Sequence, residues 1–290
     1  MTVWIDTLIQ GILLGGFFAL SGLGLSLSFG IMRIVNIAHG DFLVTVAYLC
    51  LVVSGLSGIN PLITIVIIIP ITFLSGYALQ KIILNRANDG SDLTPLLITF
   101  GISIILHNIL QELFSADSKS LDAGSFETVS LTIGNIHIGW LPLTILIVAF
   151  IVYIGIYRIM ATTRFGRIVR ATVDDQEITG LMGIDTNKIY CLGMGLSMSI
   201  VGIAGSLYGI KSSFFPMAGG NQLLFAFETV IIGGMGSIWG TMFGGMALGI
   251  AQIIGYRIGA GWGAFAGHLV FFIFLFLKPS GLLSKGDQHA

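Results

Sequence analysis

The stretch TRFGRIVRATVDDQEITGLMGIDTNK, Thr163 to Lys188, decides how the rest of the chain is read. It carries Arg164, Arg167, Arg170, Asp174, Asp175, Glu177, Asp185 and Lys188, in a chain of which only 9% is charged, and it lies between long apolar runs. With 55% hydrophobic residues, 40 glycines and a mean hydropathy of +0.97, the 290 residues describe a polytopic membrane protein and not a soluble domain. A polar loop of this size must then stand in water on one side of the bilayer.

Working outward from that loop, apolar runs occur at 8–29, 42–58, 61–84, 94–114, 141–160, 189–211, 222–236, 239–254 and 264–278. A crossing needs roughly 20 residues. The expected fold is therefore all-α, a transmembrane helical bundle of about nine spans, with residues 1–290 forming a single transmembrane domain. If the 163–188 loop is cytoplasmic, alternation puts the N-terminus outside and the C-terminus inside, with the breaks near 30–41, 85–93 and 237–238 also inside. Arg33, Lys81, Arg86, Arg158, Arg164, Arg167, Arg170, Lys188, Lys278 and Lys285 then lie inside, against Lys119, Lys211 and Arg257 outside. That bias is the positive-inside rule. Fusing 222–254 into one long helix would move Lys278 and Lys285 to the wrong side, so nine spans are preferred to eight.

The segment 115–140 is the one sizeable outer loop, and within it SLTIGNIHI has alternating apolar residues on both sides of Gly134 and Asn135, the pattern of a small hairpin. The N-terminus lacks a basic leader region and reads as a mature start. Cys50 and Cys191 fall in apolar runs and read as buried hydrophobes without a disulfide. A net charge of -1 leaves no basic face for nucleic acid. No residues have the spacing of a catalytic or metal site, so neither is expected.

Two interruptions stand out. GIMRIVNIAHGD, Gly30 to Asp41, sets Arg33, Asn36, His39 and Asp41 between apolar runs with almost no polar spacer. A charged side chain within a span costs roughly 2.5–3.5 kcal/mol on insertion scales, so such residues face a cavity or one another. The second is IIGGMGSIWGTMFGG, Ile231 to Gly245. Two Gly-interrupted segments in corresponding halves point to broken or re-entrant elements in pseudo-repeated halves, lining a midplane route. Asn36, His39, Asp41, Gly233, Gly234 and Ser237 are the candidate route residues. The glycines four apart at Gly11 and Gly15, Gly240 and Gly244, and Gly245 and Gly249 read as helix packing within the chain. His107, Asn108, Gln111 and Glu112 read as interfacial, and His268 as hydrogen-bonded to a neighbouring helix. Glu228 is open between a pore role, helix pairing and an ordinary buried position.

Within the opening loop, the order of a basic edge, acidic residues at Asp174, Asp175 and Glu177, and Gly183 predicts a short helix parallel to the membrane. Ile178, Leu181 and Met182 would be free to enter a partner's groove, a common docking mode.

The chain resembles permease subunits of bacterial ABC importers of the branched-chain amino acid class, with ribose-type sugar permeases more distant. The resemblance rests on GLGLSLSFGIMRIVNIAHGDF (22–42), TRFGRIVRATVDDQEITGLMGIDTNKI (163–189), IAGSLYGI (203–210), IIGGMGSIWGTMFGG (231–245) and KPSGLL (278–283), in order and correctly spaced. It implies a pore-forming half of an inner-membrane importer for branched-chain or related amino acids, or urea- or amide-like solutes. It also implies a second, paralogous permease, two cytoplasmic ATPase subunits and a periplasmic solute-binding protein. The 163–188 loop becomes a coupling loop, with Asp174, Asp175, Gln176, Glu177, Ile178, Leu181, Gly183 and Ile184 meeting the ATPases. Where the family often has Glu-Ala-Ala, this chain has Gln176, Glu177 and Ile178. No GxxxxGK[ST] loop is present, so the chain is not the ATPase and holds no cofactor of its own, ATP and Mg belonging to the partners. The rival reading is an ion-coupled transporter or channel using Asp41 and Glu228 without ATPases.

Overall fold

The computed structural model describes residues 2–86, 93–134 and 136–283. Lys285 and Asn135, which entered the reading of charge bias and hairpin, lie outside these. Each of the nine apolar runs folds as a helix: α1 Thr2–Met32, α2 His39–Ser57, α3 Pro61–Ile82, α4 Leu93–Phe114, α5 Trp140–Thr162, α8 Thr186–Lys211, α9 Gly219–Gly233, α10 Ile238–Ile258 and α11 Trp262–Leu277. Among the described residues, seven helical segments are both long and apolar enough to cross a membrane. α9 and α11, at 15 and 16 residues, fall short; at 1.5 Å per residue each reaches about 24 Å or less against a hydrocarbon core of about 30 Å. The bundle is helical and polytopic as the composition requires, while the expectation of nine full crossings exceeds what helix length supports.

α1 is the axis. Its small residues let α10 come against it antiparallel: a Cβ built on Gly15 would stand 2.6 Å from the Cα of Met246, and one on Gly245 2.7 Å from the Cα of Ala19. Lipid supplies no hydrophobic force between helices, so such close backbone packing is what holds them. The glycine spacing read from the sequence is thus used within the chain. α8 passes α1 on another side, where the Ser197 hydroxyl donates to Gly24 O at 2.6 Å. α3 packs on α8 and α5 on α1, the latter pinned by the Tyr153 hydroxyl donating to Ala19 O at 2.8 Å.

The predicted hairpin forms, with β1 Ser130–Ile133 antiparallel to β2 Ile136–Gly139 and Ser130 opposite Gly139. The Gln10 amide donates to His137 O, tying the hairpin to the Thr2 end of α1. Cys50 and Cys191 are both buried and unpaired.

The sequence break at 30–41 has a definite geometry. α1 ends at Met32, Arg33 turns with φ +54, and residues 33–38 leave helical conformation before α2 opens at His39. His39 lies beside Ser21, eleven residues back along α1, or about 16 Å from its end. α2 therefore starts deep inside the bundle. So does α9, because Gly40 and Gly219 face one another so closely that a Cβ on Gly40 would stand 2.6 Å from Leu223 N. From this meeting point α2 runs alongside α8, with Leu43 O under Gly205 and Ala47 beside Gly209, while α9 runs the other way, Phe225 beside Phe18 and Gly236 beside Gly30.

The second break falls at 234–237, where Gly234 and Gly236 adopt φ +101 and +79 and Ser237 caps α10 by accepting from Gly240 N at 3.1 Å. A fused 222–254 helix is thereby excluded.

Candidate functional site

Asn36, His39 and Asp41 are all buried at the start of α2, but their polar atoms have different employment. The Asn36 side-chain oxygen accepts from Ala38 N at 3.1 Å, a local turn that ends the extended segment. His39 Nε2 stands 2.9 Å from Ser21 O and fastens α2 to α1. Both of these atoms hold the break together. Asp41 instead directs its carboxylate out of α2 toward α4 and α9. His107 Nε2 of α4 lies 2.5 Å from Asp41 Oδ1, and any Cβ on Gly219 would collide with that carboxylate.

Thr99, Ser103 and His107 recur at four-residue intervals, so they form one stripe along α4. The stripe continues the contact downward, where Ile37 N donates to Thr99 Oγ1 at 3.2 Å. Reading His107 as interfacial missed this, because an imidazole near a helix end gives no sign of a carboxylate 66 positions away in sequence. Asn108, Gln111 and Glu112 are exposed, as expected of that group.

A second buried polar pair joins α9 to α11: His268 Nδ1 meets Glu228 Oε1, and Phe225 stacks on the imidazole at 5.7 Å with the planes 8° apart. Glu228 therefore serves helix pairing, and His268 bonds a neighbouring helix as its position suggested.

Gly233, Gly234 and Ser237 lie elsewhere. Gly236 packs on Gly30, nine residues or about 13 Å along α1 from Ser21. The backbone groups of this break are taken within the chain: Gly233 O accepts from Leu283 N at 3.1 Å, Ile232 O from Leu282 N at 2.8 Å, and Gly234 N donates to Val230 O at 2.9 Å. The segment 278–283 thus folds over the α9–α10 connection. The structure does not bring the two sets of candidate route residues into one site.

The polar loop forms two helices. α6, Arg164–Asp174, turns Val169 and Thr172 inward and packs Phe165 and Ile168 on the core. Its arginines satisfy the open end of α5, Arg167 donating to Thr162 O at 3.2 Å and Arg170 to Met160 O. The basic edge is therefore a helix that caps another helix, a role its charge alone did not reveal. α7, Gln176–Leu181, begins at Asp175, whose carboxylate accepts from Ile178 N at 2.9 Å. It ends through Met182 into Gly183, whose φ of +81 is one that an L side chain rarely adopts. Ile178 is 59% exposed, Leu181 81% and Met182 78%. The loop then turns at Ile184, half-buried on the core, into Asp185, which caps α8. Hydrogen bonds from the Lys188 backbone and side chain hold the Asp185 carboxyl below the usual range, so the cap stays charged at neutral pH. Asp174, Gln176 and Glu177 are exposed around the same helix.

Among the described residues no three His, Cys, Asp or Glu side chains converge as a metal site would require.

Residues 7–277 match the family model described as branched-chain amino acid transport system / permease component. The chain is 28% identical to the high-affinity branched-chain amino acid transport system permease protein BraD of Pseudomonas aeruginosa, over 98% of this chain and 97% of that one. It is 22% identical to the LivH permease protein of the corresponding system of Escherichia coli, over 98% and 96%. It is 25% identical to the probable branched-chain amino acid transport permease protein LivM of Methanocaldococcus jannaschii, over 85% and 76%.

Proposed function

The chain belongs to the branched-chain amino acid transport permease family, and from that premise we propose a substrate, a set of partners and an orientation for it. As a member it is the pore-forming permease subunit of an ABC importer, a multi-pass protein of the inner membrane and not itself an enzyme. Energy comes from ATPase subunits that are separate chains. The solute is a branched-chain amino acid, in keeping with what the relatives are named for.

The observation that carries the mechanism is α7. A short, capped helix with Ile178, Leu181 and Met182 exposed at the tip of a polar loop is a poor surface to leave in water and a good one to seat in a groove. Two ATPase subunits grip this helix and its twin on a second, paralogous permease, and Asp174, Asp175, Gln176, Glu177, Gly183 and Ile184 shape the contact. ATP and Mg sit in those subunits, none in this chain. Movement of α7 passes to the bundle through α6, whose arginines hold the end of α5, and through the Asp185 cap to α8.

The solute, delivered by an external binding protein, passes where α2 and α9 begin against each other. Asp41 is the polar group of that passage, with Asn36 and His39 fixing its backbone, while Gly233, Gly234 and Ser237 under the 278–283 segment form an inner seal. The N-terminus lies outside and the C-terminus in the cytoplasm, with α9 and α11 completing nine traverses in a bundle in which α2 and α9 start from within. The ion-coupled rival would have to work without α7's partner.

Expressed with its companion permease and ATPase genes, the chain should co-purify with ATP-hydrolysing subunits, and Leu181→Asp should cut that recovery at least tenfold while leaving the amount of permease in the membrane unchanged. Undiminished recovery with Leu181→Asp, or uptake that persists without the ATPases and collapses with the ion gradient, defeats the reading.

A further inference from the structure

Asp41 and His107 differ in how firmly they are held. Asp41 sits in the first turn of α2, wedged against Gly219 of α9, and α2 is locked to α8 by the close approach of Leu43 O and Val46 to Gly205. His107 is carried by α4, which is anchored lightly. A Cβ built on α4's one glycine, Gly101, would meet nothing within 4 Å, whereas Gly15 of α1 and Gly76 of α3 are pressed against other helices. Among the described residues, α4 meets the α2 region through the Thr99–Ile37 hydrogen bond, the contact of His107 with Asp41, and the stacking of Phe114 on Tyr48 at 4.5 Å. The carboxylate is on the closely packed side and its partner on the lightly packed one.

A carboxylate buried within a membrane bundle needs a cationic or hydrogen-bonding partner at every stage of a conformational cycle. In this state His107 provides it and is itself only partly buried. An α-amino acid carries a group that can replace an imidazole there, an ammonium with three donors. We propose that Asp41 recognises the ammonium group of the passing solute and that His107 holds its place between transport events. This rests on the reading of the α2–α9 junction as the passage, and it names the chemistry that junction takes: a zwitterion presenting its ammonium to α2, with an aliphatic side chain toward the apolar helices.

A structural clamp makes a different forecast from a recognition site. Asn at 41 can accept a hydrogen bond from His107, and exchanging the two residues keeps the pair but moves the carboxylate to α4. In the full complex with its ATPases and binding protein, reconstituted in vesicles and supplied with leucine, isoleucine or valine, Asp41→Asn should lower maximal ATP-driven uptake more than tenfold, with the half-saturating concentration unchanged. His107→Gln should lower it threefold at most. The exchange Asp41→His with His107→Asp, recovered as an intact complex, should stay below a tenth of the unaltered rate. Uptake by Asp41→Asn within threefold of the unaltered complex, or recovery of transport in the exchange variant, overturns the proposal. An unaltered complex that carries none of these amino acids defeats the earlier reading of the passage, whereas one that carries them but ignores Asp41→Asn defeats this inference alone.

Discussion

At the scale of single residues, the structure separates side chains that look alike in sequence. Asn36, His39 and Asp41 stand within six positions of each other and were equal candidates, yet two of them spend their polar atoms on the chain's own backbone. Only the contact with His107, a residue of a different helix, distinguishes the third. That partner was not legible, since nothing local to His107 marks it as inward-facing. Glycine gives the sharpest forecasts at this scale. Gly40→Ala must force α2 away from Leu223 of α9; overpacking of this kind costs about 1–3 kcal/mol, more where backbone meets backbone. The detergent-solubilised protein should melt several degrees lower, and an unchanged melting temperature would mean the two helix starts are not in contact. Gly183→Ala, by contrast, meets no neighbouring atom and is strained only by its φ of +81. It should cost about 1–2 kcal/mol in the loop alone and weaken ATPase recovery without lowering the melting temperature of the bundle.

At the scale of elements, hydrophobic runs and glycine spacing make the nine helices, the hairpin and the existence of close helix packing readable in sequence, because each follows from a local periodicity, whereas which helix meets which, α1 with α10, does not. α6 was not readable in the same way. Its arginines were seen as a charged edge, and their task of closing the end of α5 depends on a turn at Thr163 that charge counting does not detect. α7 was predicted from its acidic start and glycine stop, and its cap offers a clean test. Asp175→Ala should remove about 1 kcal/mol of helix stability and reduce ATPase recovery severalfold, while Asp175→Asn, which can still accept from Ile178 N, should recover close to the unaltered amount. Equal loss in both would assign Asp175 to direct contact with a partner.

For the whole molecule, the orientation can be read by labelling. A single cysteine placed at Val3, in a chain with Cys50 and Cys191 replaced, should react with a membrane-impermeant maleimide in intact cells whose outer membrane has been opened, and one placed at Leu181 should react only after lysis; the reverse pattern would invert the bundle. The helix count was the least legible feature, because a run of apolar residues fixes that a helix is buried but not where it starts in depth. α2 and α9 both start inside. Each helix start carries about half of a positive elementary charge from its unpaired backbone N–H groups, so the two meeting starts offset part of the charge of the buried Asp41 carboxylate beside them. Glu228, the other carboxylate buried in the bundle among the described residues, has His268 against it, so neither acid stands bare to draw in a cation. A pathway arranged in this way can admit a molecule bearing both signs of charge while keeping sodium ions and protons from leaking down the gradient that the cell maintains across the same membrane.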